Sequence, residues 1–287
     1  MNLSTVRVFL KEIRVEHTLF ALPFAYVGAV MAARGLPTLT QLFWITLAVI
    51  GARTAAMAAN RYFDRFIDQR NPRTARRAVA SGALSPAVML WAIAGGIGLL
   101  IVSAAFLNPL CLELLPLAAL GILMYPLCKR FTWLVHFVLG AVDALAPLGA
   151  FIAIAGTITI PALLLFVAVT VWVAGFDILY ALMDYRYDVE QGLKSIPARF
   201  GERAGRVLPL ALHIAMTAAL LGAGILAHAG SFYYAGVALA AILVIYEERL
   251  IALAKDIFVL NDRIFIMNMA FSVAFLGTTL ASFVILR

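Results

Sequence analysis

Residues 144–176 read ALAPLGAFIAIAGTITIPALLLFVAVTVWVAGF and contain no Asp, Glu, Lys or Arg. Three further stretches, 78–112, 207–246 and 264–286, also lack these four residue types. A membrane-crossing helix needs about 20 predominantly apolar residues, so each stretch can supply one or two crossings. The sequence therefore predicts an all-α, polytopic membrane bundle of about nine transmembrane helices. Gly, Pro and polar breaks place the spans at 16–33, 39–62, 86–107, 109–127, 133–154, 161–183, 205–227, 231–253 and 263–286.

The overall composition supports a membrane protein. Hydrophobic residues make up 64% of the 287 residues and charged residues only 13%, whereas an average soluble domain has about 45–50% and about 25%. The mean hydropathy is +1.00. A soluble fold of this size cannot bury so much apolar surface. The composition therefore excludes a soluble enzyme, a disordered chain and a disulfide scaffold.

The Lys and Arg residues are distributed unevenly between the two ends of the predicted spans. One end carries 18 of the 22 and comprises the N-terminus, loops 63–85, 128–132, 184–204 and 247–263, and Arg206 at the start of the seventh predicted span. Basic residues favour the cytoplasmic side. We therefore expect a cytoplasmic N-terminus, a C-terminus outside, and an active site that faces the cytoplasm of a bacterial inner membrane. This distribution accounts for the net charge of +7 without nucleic acid as a partner.

Polar side chains recur every four residues at the end of the second predicted span. Asn60, Asp64 and Asp68 share one helix face, because steps of four residues drift only about 40° around a helix. Two arginines in the next loop, Arg73 and Arg77, follow this cluster. The pattern predicts an acidic face beside a basic loop at the cytoplasmic end of the span.

A second acidic cluster closes the sixth predicted span. It contains Asp177, Tyr180, Asp184 and Asp188, and a basic loop with Lys194 follows it. Steps of seven and four residues predict that the three aspartates lie within about 40° of one line on a single helix. The second cluster therefore repeats the layout of the first.

The two acidic clusters lie four predicted spans apart. This spacing indicates a weak internal duplication of a four-helix unit, covering about 16–127 and 133–253. Since no long polar linker separates the two units, we predict a single integral membrane domain over residues 1–287.

Carboxylates near hydrocarbon are expensive, so they are candidates for function. Five converging aspartates repel one another unless a cation neutralises them, and carboxylates without His or Cys suit Mg²⁺. Arginine binds phosphate oxygens through two parallel hydrogen bonds. The pattern therefore predicts a site for Mg²⁺ and a diphosphate. The alternatives are acids at helix ends that pair with loop arginines, and a cation-coupled membrane transporter.

The two acidic patterns resemble the paired signature motifs of the UbiA-type membrane prenyltransferases. The resemblance covers most of the chain and includes Tyr125-Pro126 and Lys129-Arg130-Phe-Thr132. Two further stretches, 16–24 and 51–57, resemble the 4-hydroxybenzoate polyprenyltransferase-like branch, which includes dihydroxynaphthoate prenyltransferases of menaquinone synthesis. The resemblance implies nine helices, a cavity that faces the cytoplasm, and two Mg²⁺ ions.

The resemblance also implies an activity and a set of site residues. The activity is transfer of a polyprenyl chain from polyprenyl diphosphate to a ring carbon of an aromatic acid, 4-hydroxybenzoate or a dihydroxynaphthoate, in ubiquinone or menaquinone synthesis. The catalytic and metal-binding candidates are Asp64, Asp68, Asp184 and Asp188, with Asn60 as a further metal ligand. The substrate-binding candidates are Arg53, Asn60, Tyr180, Asp177, Arg73, Arg77, Lys129, Arg130, Lys194 and His136.

Arg53 lies seven residues before Asn60, two turns deeper on the same face. The resemblance makes it the clamp for an aromatic carboxylate, and the alternative is an ion pair with Asp143. The chain departs from the hydroxybenzoate pattern at Val135-His136, where many members have Pro-Gln. His136 and Asp143 are seven residues apart, so we expect that they form a polar patch on the cavity. Within the acidic clusters, either Asp184 or Asp188 is a candidate base.

Overall fold

The chain is described by a computed structural model over residues 3–14, 18–253 and 257–285. Within these ranges the protein is helical and has no strand. Predictions that involve Glu16, His17, Lys255 and Arg287 lie outside the described residues. The helices are α1 (Leu3–Glu12), α2 (Thr18–Ala33), α3 (Leu39–Arg70), α4 (Pro86–Ala105), α5 (Pro109–Cys128), α6 (Val135–Ala155), α7 (Ile160–Ala181), α8 (Tyr185–Glu190), α9 (Ile196–Leu226), α10 (Ser231–Leu253) and α11 (Ile257–Leu280).

Each predicted span overlaps one of the long helices. Seven helical segments among the described residues are long and apolar enough to cross a membrane, and Phe20–Ala33 is a shorter apolar helix. The prediction of an all-helical, multi-pass membrane protein is confirmed for the described ranges. The count of nine membrane crossings and the orientation of the two ends stay predictions.

Helix α3 carries the first acidic cluster and is longer than predicted. It begins at a capping box in which Thr38 and Gln41 satisfy each other's backbone amides. It then continues two turns past the predicted end at residue 62. Asp64 and Asp68 are buried on one face, while Phe66 is exposed on another. The four-residue spacing therefore places Asp64 and Asp68 on one face of the helix, as expected. Because these side chains face the interior, the helix continues through this polar segment.

The second acidic cluster does not lie on one continuous α-helix, and that prediction is wrong. Helix α7 ends at Ala181, and a 3₁₀ turn covers Leu182–Asp184 before α8 begins. A 3₁₀ turn has 3.0 residues per turn instead of 3.6. The turn therefore rotates Asp184 and Asp188 relative to Asp177, and the three aspartates reach the cavity from α7, the 3₁₀ turn and α8.

Helix α9 begins nine residues before the predicted start at residue 205. Ser195 caps it by accepting a hydrogen bond from the Ala198 amide, and Pro197 occupies the first turn. At Gly201 the backbone adopts φ 86°, which a glycine tolerates without strain. The kink separates the first turns of α9, whose cap Ser195 lines the cavity, from the apolar part of the helix.

The centre of the bundle is held by close backbone contacts and aromatic rings. A Cβ on Gly28 of α2 would lie 2.2 Å from the Pro147 carbonyl oxygen of α6, and one on Gly140 of α6 would lie 2.2 Å from that of Thr170 in α7. Small residues at helix crossings permit such approaches in membranes. Trp172 of α7 contacts the Phe20 ring of α2 at a centroid distance of 4.8 Å. Helices α2, α6 and α7 therefore form a fixed frame for the site.

Candidate active site

The two acidic clusters meet at one cavity of about 300 Å³. Residues of both motifs, at the end of α3 and from the end of α7 onward, line this cavity, so the two motifs converge. Of the predicted site residues, only Arg130 is absent from the described cavity lining. The predicted residues that line it are Arg53, Asn60, Asp64, Asp68, Arg73, Arg77, Lys129, His136, Asp177, Tyr180, Asp184, Asp188 and Lys194.

Asp64 lies at the centre of the first cluster with 1% of its surface exposed. Its Oδ2 accepts a hydrogen bond from the Asn60 side chain at 3.2 Å and lies 2.6 Å from Lys129 Nζ. Its Oδ1 is buried and has no hydrogen-bond partner among the described residues. Arg130 Nη2 lies 3.9 Å from that oxygen and donates instead to the Phe63 carbonyl at 2.5 Å. One carboxylate oxygen of Asp64 is therefore buried without a hydrogen bond from the described residues.

The loop that follows α3 bridges the two clusters. Arg77 Nη1 donates to both Asp68 oxygens at 2.8 Å. Arg73 forms a two-bond contact with Asp184, through Nε to Oδ1 at 2.8 Å and through Nη2 to Oδ2. The Asn71 side chain donates to Asp184 Oδ1 at 2.8 Å. Burial favours a lower pKa for the Arg73 guanidinium, but its hydrogen bonds and the Asp184 charge outweigh burial and raise that pKa.

These ion pairs match the alternative that acids at the helix ends pair with loop bases. Among the described residues, no group of three or more His, Cys, Asp or Glu side chains is close enough to hold a metal ion by itself. Mg²⁺ commonly binds through one or two carboxylates, waters and substrate phosphates. The unpartnered Asp64 oxygen and the nearby Asp68 carboxylate therefore fit Mg²⁺ that arrives with a diphosphate.

Arg53 and Asp143 form a buried ion pair deeper in the bundle. Arg53 Nη1 lies 2.5 Å from Asp143 Oδ1, and the side chains are 13% and 11% exposed. The alternative of an ion pair is confirmed, while the carboxylate clamp stays a prediction. Both residues also line a second cavity of about 310 Å³, whose other described lining residues are apolar. The pair therefore lies where a polar and an apolar cavity adjoin.

His136 and Asp143 both line the cavity, as expected, but the hydrogen-bond partner of His136 is Asp177 rather than Asp143. His136 Nδ1 lies 2.7 Å from Asp177 Oδ2, and Nε2 lies 3.2 Å from the Ile196 amide nitrogen. Because the amide donates its hydrogen, Nε2 accepts and Nδ1 carries the proton that is donated to Asp177. Both ring nitrogens are thus occupied by the protein. His136 lines the cavity but acts on it through Asp177 and the start of α9.

Arg61 is a cavity residue that the sequence reasoning missed. It is 4% exposed, and its Nη1 donates to the Asn60 side-chain oxygen at 3.0 Å. This bond orients the Asn60 amide so that its nitrogen faces Asp64. Arg61 Nε donates to the Glu12 carbonyl, and the Glu12 side chain accepts from the Ala78 amide. The signal in the sequence was an arginine inside a predicted membrane span, since Arg61 does not belong to the four-residue pattern.

Two further contacts join the polar loops around the cavity. The Lys194 amide donates to the Lys129 carbonyl at 2.6 Å. The Tyr187 hydroxyl donates to the Ile67 carbonyl at 2.8 Å. The segment after α7 is therefore fixed to both α3 and the end of α5, which keeps the second acidic cluster opposite the first.

A model of the UbiA prenyltransferase family matches residues 21–258. A 4-hydroxybenzoate octaprenyltransferase from Pseudoalteromonas translucida (strain TAC 125) is 34% identical over 239 residues, covering 82% of this chain and 80% of that protein. This match and the family model cover the two acidic motifs and the helices that carry them.

Two solved structures have the same fold. The apo structure of a UbiA homolog from Aeropyrum pernix K1 superposes with a TM-score of 0.80 at 36% identity, covering 89% of this chain and 96% of the other. A UbiA homolog from Archaeoglobus fulgidus, bound to DMAPP and Mg²⁺, superposes with a TM-score of 0.72 at 18% identity, covering 95% and 99%. At this lower identity the second likeness concerns the fold alone.

Proposed function

The chain belongs to the UbiA prenyltransferase family, and we propose that it transfers a polyprenyl chain to a ring carbon of an aromatic acid, 4-hydroxybenzoate, in quinone synthesis. The observation that carries this proposal is the convergence of two acidic motifs and their loop bases on one cavity, with Arg53 deeper in the same cavity. The name of the Pseudoalteromonas translucida relative supports 4-hydroxybenzoate as the acceptor. Nothing in the comparisons supports the transporter alternative.

The donor diphosphate binds at the acidic clusters in this proposal. Asp64, Asp68, Asp184 and Asp188, with Asn60, hold Mg²⁺, and the Mg²⁺ bound in the Archaeoglobus fulgidus homolog supports this choice of ion. Bound Mg²⁺ supplies positive charge that stabilises a leaving diphosphate. In the structure, three of these aspartates are neutralised by loop bases.

The loop bases have a second partner available when the donor enters. Arg73, Arg77 and Lys129 lie at the cavity, and guanidinium groups bind phosphate oxygens as they bind carboxylates. As the allylic C–O bond breaks, the diphosphate takes the electron pair and these bases stabilise its growing charge. Donor binding therefore exchanges carboxylate–base pairs for phosphate–base contacts.

The aromatic ring then attacks the allylic carbon. A C–C bond forms between the two carbons, and the ring loses the proton at that position to a carboxylate; Asp184 or Asp188 takes this role in place of metal binding. Phe20 and Phe176, whose rings meet edge to face at 5.4 Å, line the cavity with further apolar residues. These side chains exclude water that would otherwise capture the carbocation-like prenyl group.

We place the protein in a bacterial inner membrane with the cavity open to the cytoplasm. The basis is the charge asymmetry of 18 among 22 basic residues. The N-terminus is then cytoplasmic and the C-terminus outside, with a single domain over residues 1–287 that contains the four-helix duplication. Prenyl diphosphate can enter from the cytoplasmic leaflet in this orientation.

The test is a turnover assay on membranes that contain the protein. Geranyl diphosphate and Mg²⁺ are incubated with a panel of aromatic acids, and product masses and diphosphate release are measured. We expect a prenylated 4-hydroxybenzoate and stoichiometric diphosphate. Membranes with Asp64→Asn serve as the control, because this change removes a charge with almost no change of shape. Ion flux without diphosphate release would support the transporter instead.

A further inference from the structure

The Arg53 guanidinium is only partly used by the protein. It carries five N–H donors in one plane, and its described hydrogen bond runs from Nη1 to Asp143 Oδ1. Its Nε is buried and has no partner among the described residues. Buried N–H groups in folded proteins are rarely left unpaired. The ion pair with Asp143 therefore leaves part of the Arg53 side chain unexplained.

The unused part of Arg53 has a defined shape. Nε and Nη2 lie side by side along one edge of the guanidinium, and this edge can bind a carboxylate through two parallel hydrogen bonds. Asp143 occupies Nη1, which lies off that edge. The geometry thus keeps the protein's own carboxylate away from the edge that is suited to a second carboxylate.

Helix α6 is a firm support for Asp143. Gly140, one turn before it, packs so closely on α7 that an added Cβ would lie 2.2 Å from the Thr170 carbonyl oxygen. Ala144, the next residue, is fully buried. The Asp143 backbone is therefore fixed, while Arg53 has a long side chain that needs an anchor. The same helix carries His136, which orients Asp177 in the same cavity.

We propose that Asp143 is a positioning residue that holds Arg53 with its Nε–Nη2 edge free for the carboxylate of the aromatic acceptor. This inference rests on the proposed function and extends it to the selection of acceptors. It builds on the carboxylate contact that the resemblance implies for Arg53, and it excludes Asp143 from direct contact with that carboxylate. A phenol without a carboxylate leaves Arg53 Nε unpaired and binds more weakly.

A purely structural role for Asp143 makes a different prediction. The two residues are the only charged ones among the described lining of the apolar cavity, and a guanidinium in such surroundings requires a counter-ion. If neutralisation were the whole role, removal of Asp143 would destabilise the protein and leave the Arg53 charge uncompensated. The preference for a carboxylate-bearing acceptor over a neutral one would then stay the same or increase, because the acceptor carboxylate would replace the lost counter-ion.

The experiment measures binding directly, by titration calorimetry of purified protein in detergent with 4-hydroxybenzoate and with phenol. We expect wild type to bind 4-hydroxybenzoate at least tenfold more tightly than phenol. Asp143→Leu should weaken the binding of 4-hydroxybenzoate at least tenfold and leave the affinity for phenol unchanged. Asp143→Asn should stay within threefold of wild type, because the amide oxygen still accepts from Arg53 Nη1. Glu113→Gln, an equal charge change at an exposed site outside both described cavity linings, is the matched control.

A double variant covers the case in which Asp143→Leu does not fold. Arg53→Met with Asp143→Leu replaces the ion pair by apolar groups, which proteins often tolerate. It should bind phenol like wild type and 4-hydroxybenzoate no better than phenol. The inference is overturned if wild type does not prefer 4-hydroxybenzoate, if Asp143→Leu keeps that preference, or if the double variant keeps it.

A turnover assay distinguishes a failure of this inference from a failure of the proposed function. Product from neutral phenols alone would overturn the acceptor assignment and leave prenyl transfer intact. Tight binding of 4-hydroxybenzoate without product from any acceptor would refute the proposed function and leave the role of Asp143 standing.

Discussion

Replacement of His136 by Ala removes two hydrogen bonds from the wall of the cavity. The Nδ1–H to Asp177 bond reaches a carboxylate at 2.7 Å, and such bonds contribute about 1.5–3 kcal/mol. The second bond satisfies the Ile196 amide at 3.2 Å, and a buried donor left unpaired costs about 1–3 kcal/mol. Ile196 is 1% exposed, so water does not easily replace the imidazole. We therefore expect His136→Ala to destabilise the protein by about 3 kcal/mol or more.

The side chain of Gln can reproduce both bonds, since its amide nitrogen donates to Asp177 and its oxygen accepts from Ile196. We expect His136→Gln to recover most of the stability and of the turnover that His136→Ala loses. The measurement is unfolding in detergent, followed by circular dichroism, together with steady-state turnover. His228→Ala, the same change at an exposed histidine, should alter neither. Equal stability of His136→Ala and wild type, or a Gln variant no better than Ala, would refute this account of His136.

Three further predictions concern the metal, the acceptor and the membrane orientation. Asp64→Ala and Asp184→Ala should each abolish most of the turnover, and most of the Mg²⁺ binding measured by calorimetry, while the circular dichroism spectrum stays unchanged. Full activity in both variants would refute the assignment of these aspartates as metal ligands. Arg53→Ala should raise KM for the aromatic acid tenfold or more, as expected for the loss of a hydrogen bond worth about 1.5–3 kcal/mol. KM for the prenyl diphosphate should stay unchanged, and Arg53→Lys should restore part of the loss. A rise in the KM for the prenyl diphosphate alone would place Arg53 on the diphosphate. A reporter after Arg287 should be periplasmic and one within 63–85 cytoplasmic, and a cytoplasmic C-terminus would change the span count.

Local periodicity was sufficient to predict the first acidic cluster. Asn60, Asp64 and Asp68 lie on one continuous helix, so a spacing of four residues translates directly into a shared face. Arg77 follows within a short loop and pairs with Asp68 of this cluster, whereas Arg73 reaches across to Asp184 of the second cluster. Hydropathy likewise located the long helices, because membrane helices require uninterrupted apolar sequence.

The second cluster and the pairings across the bundle could not be predicted in this way. The 3₁₀ turn at Leu182–Asp184 breaks the helical register without any Gly or Pro to signal it. The contacts of Arg53 with Asp143 and of His136 with Asp177 join residues 90 and 41 positions apart. Such pairs depend on which helices become neighbours, and a spacing rule within one helix carries no information about that.

The acidic and basic side chains that line the cavity nearly balance each other in charge. Seven basic and six acidic side chains line it among the described residues, so their formal charges nearly cancel. Nearly balanced charges make the empty cavity tolerable in a membrane, because charges such as Arg53 and Asp143, or Lys129 and Asp64, neutralise each other. The same balance leaves little surplus positive charge for a free diphosphate, so we expect the donor to bind with a divalent cation rather than alone. The arginines and Lys129 then select the position of the phosphates, while the net attraction depends on the cation that accompanies them.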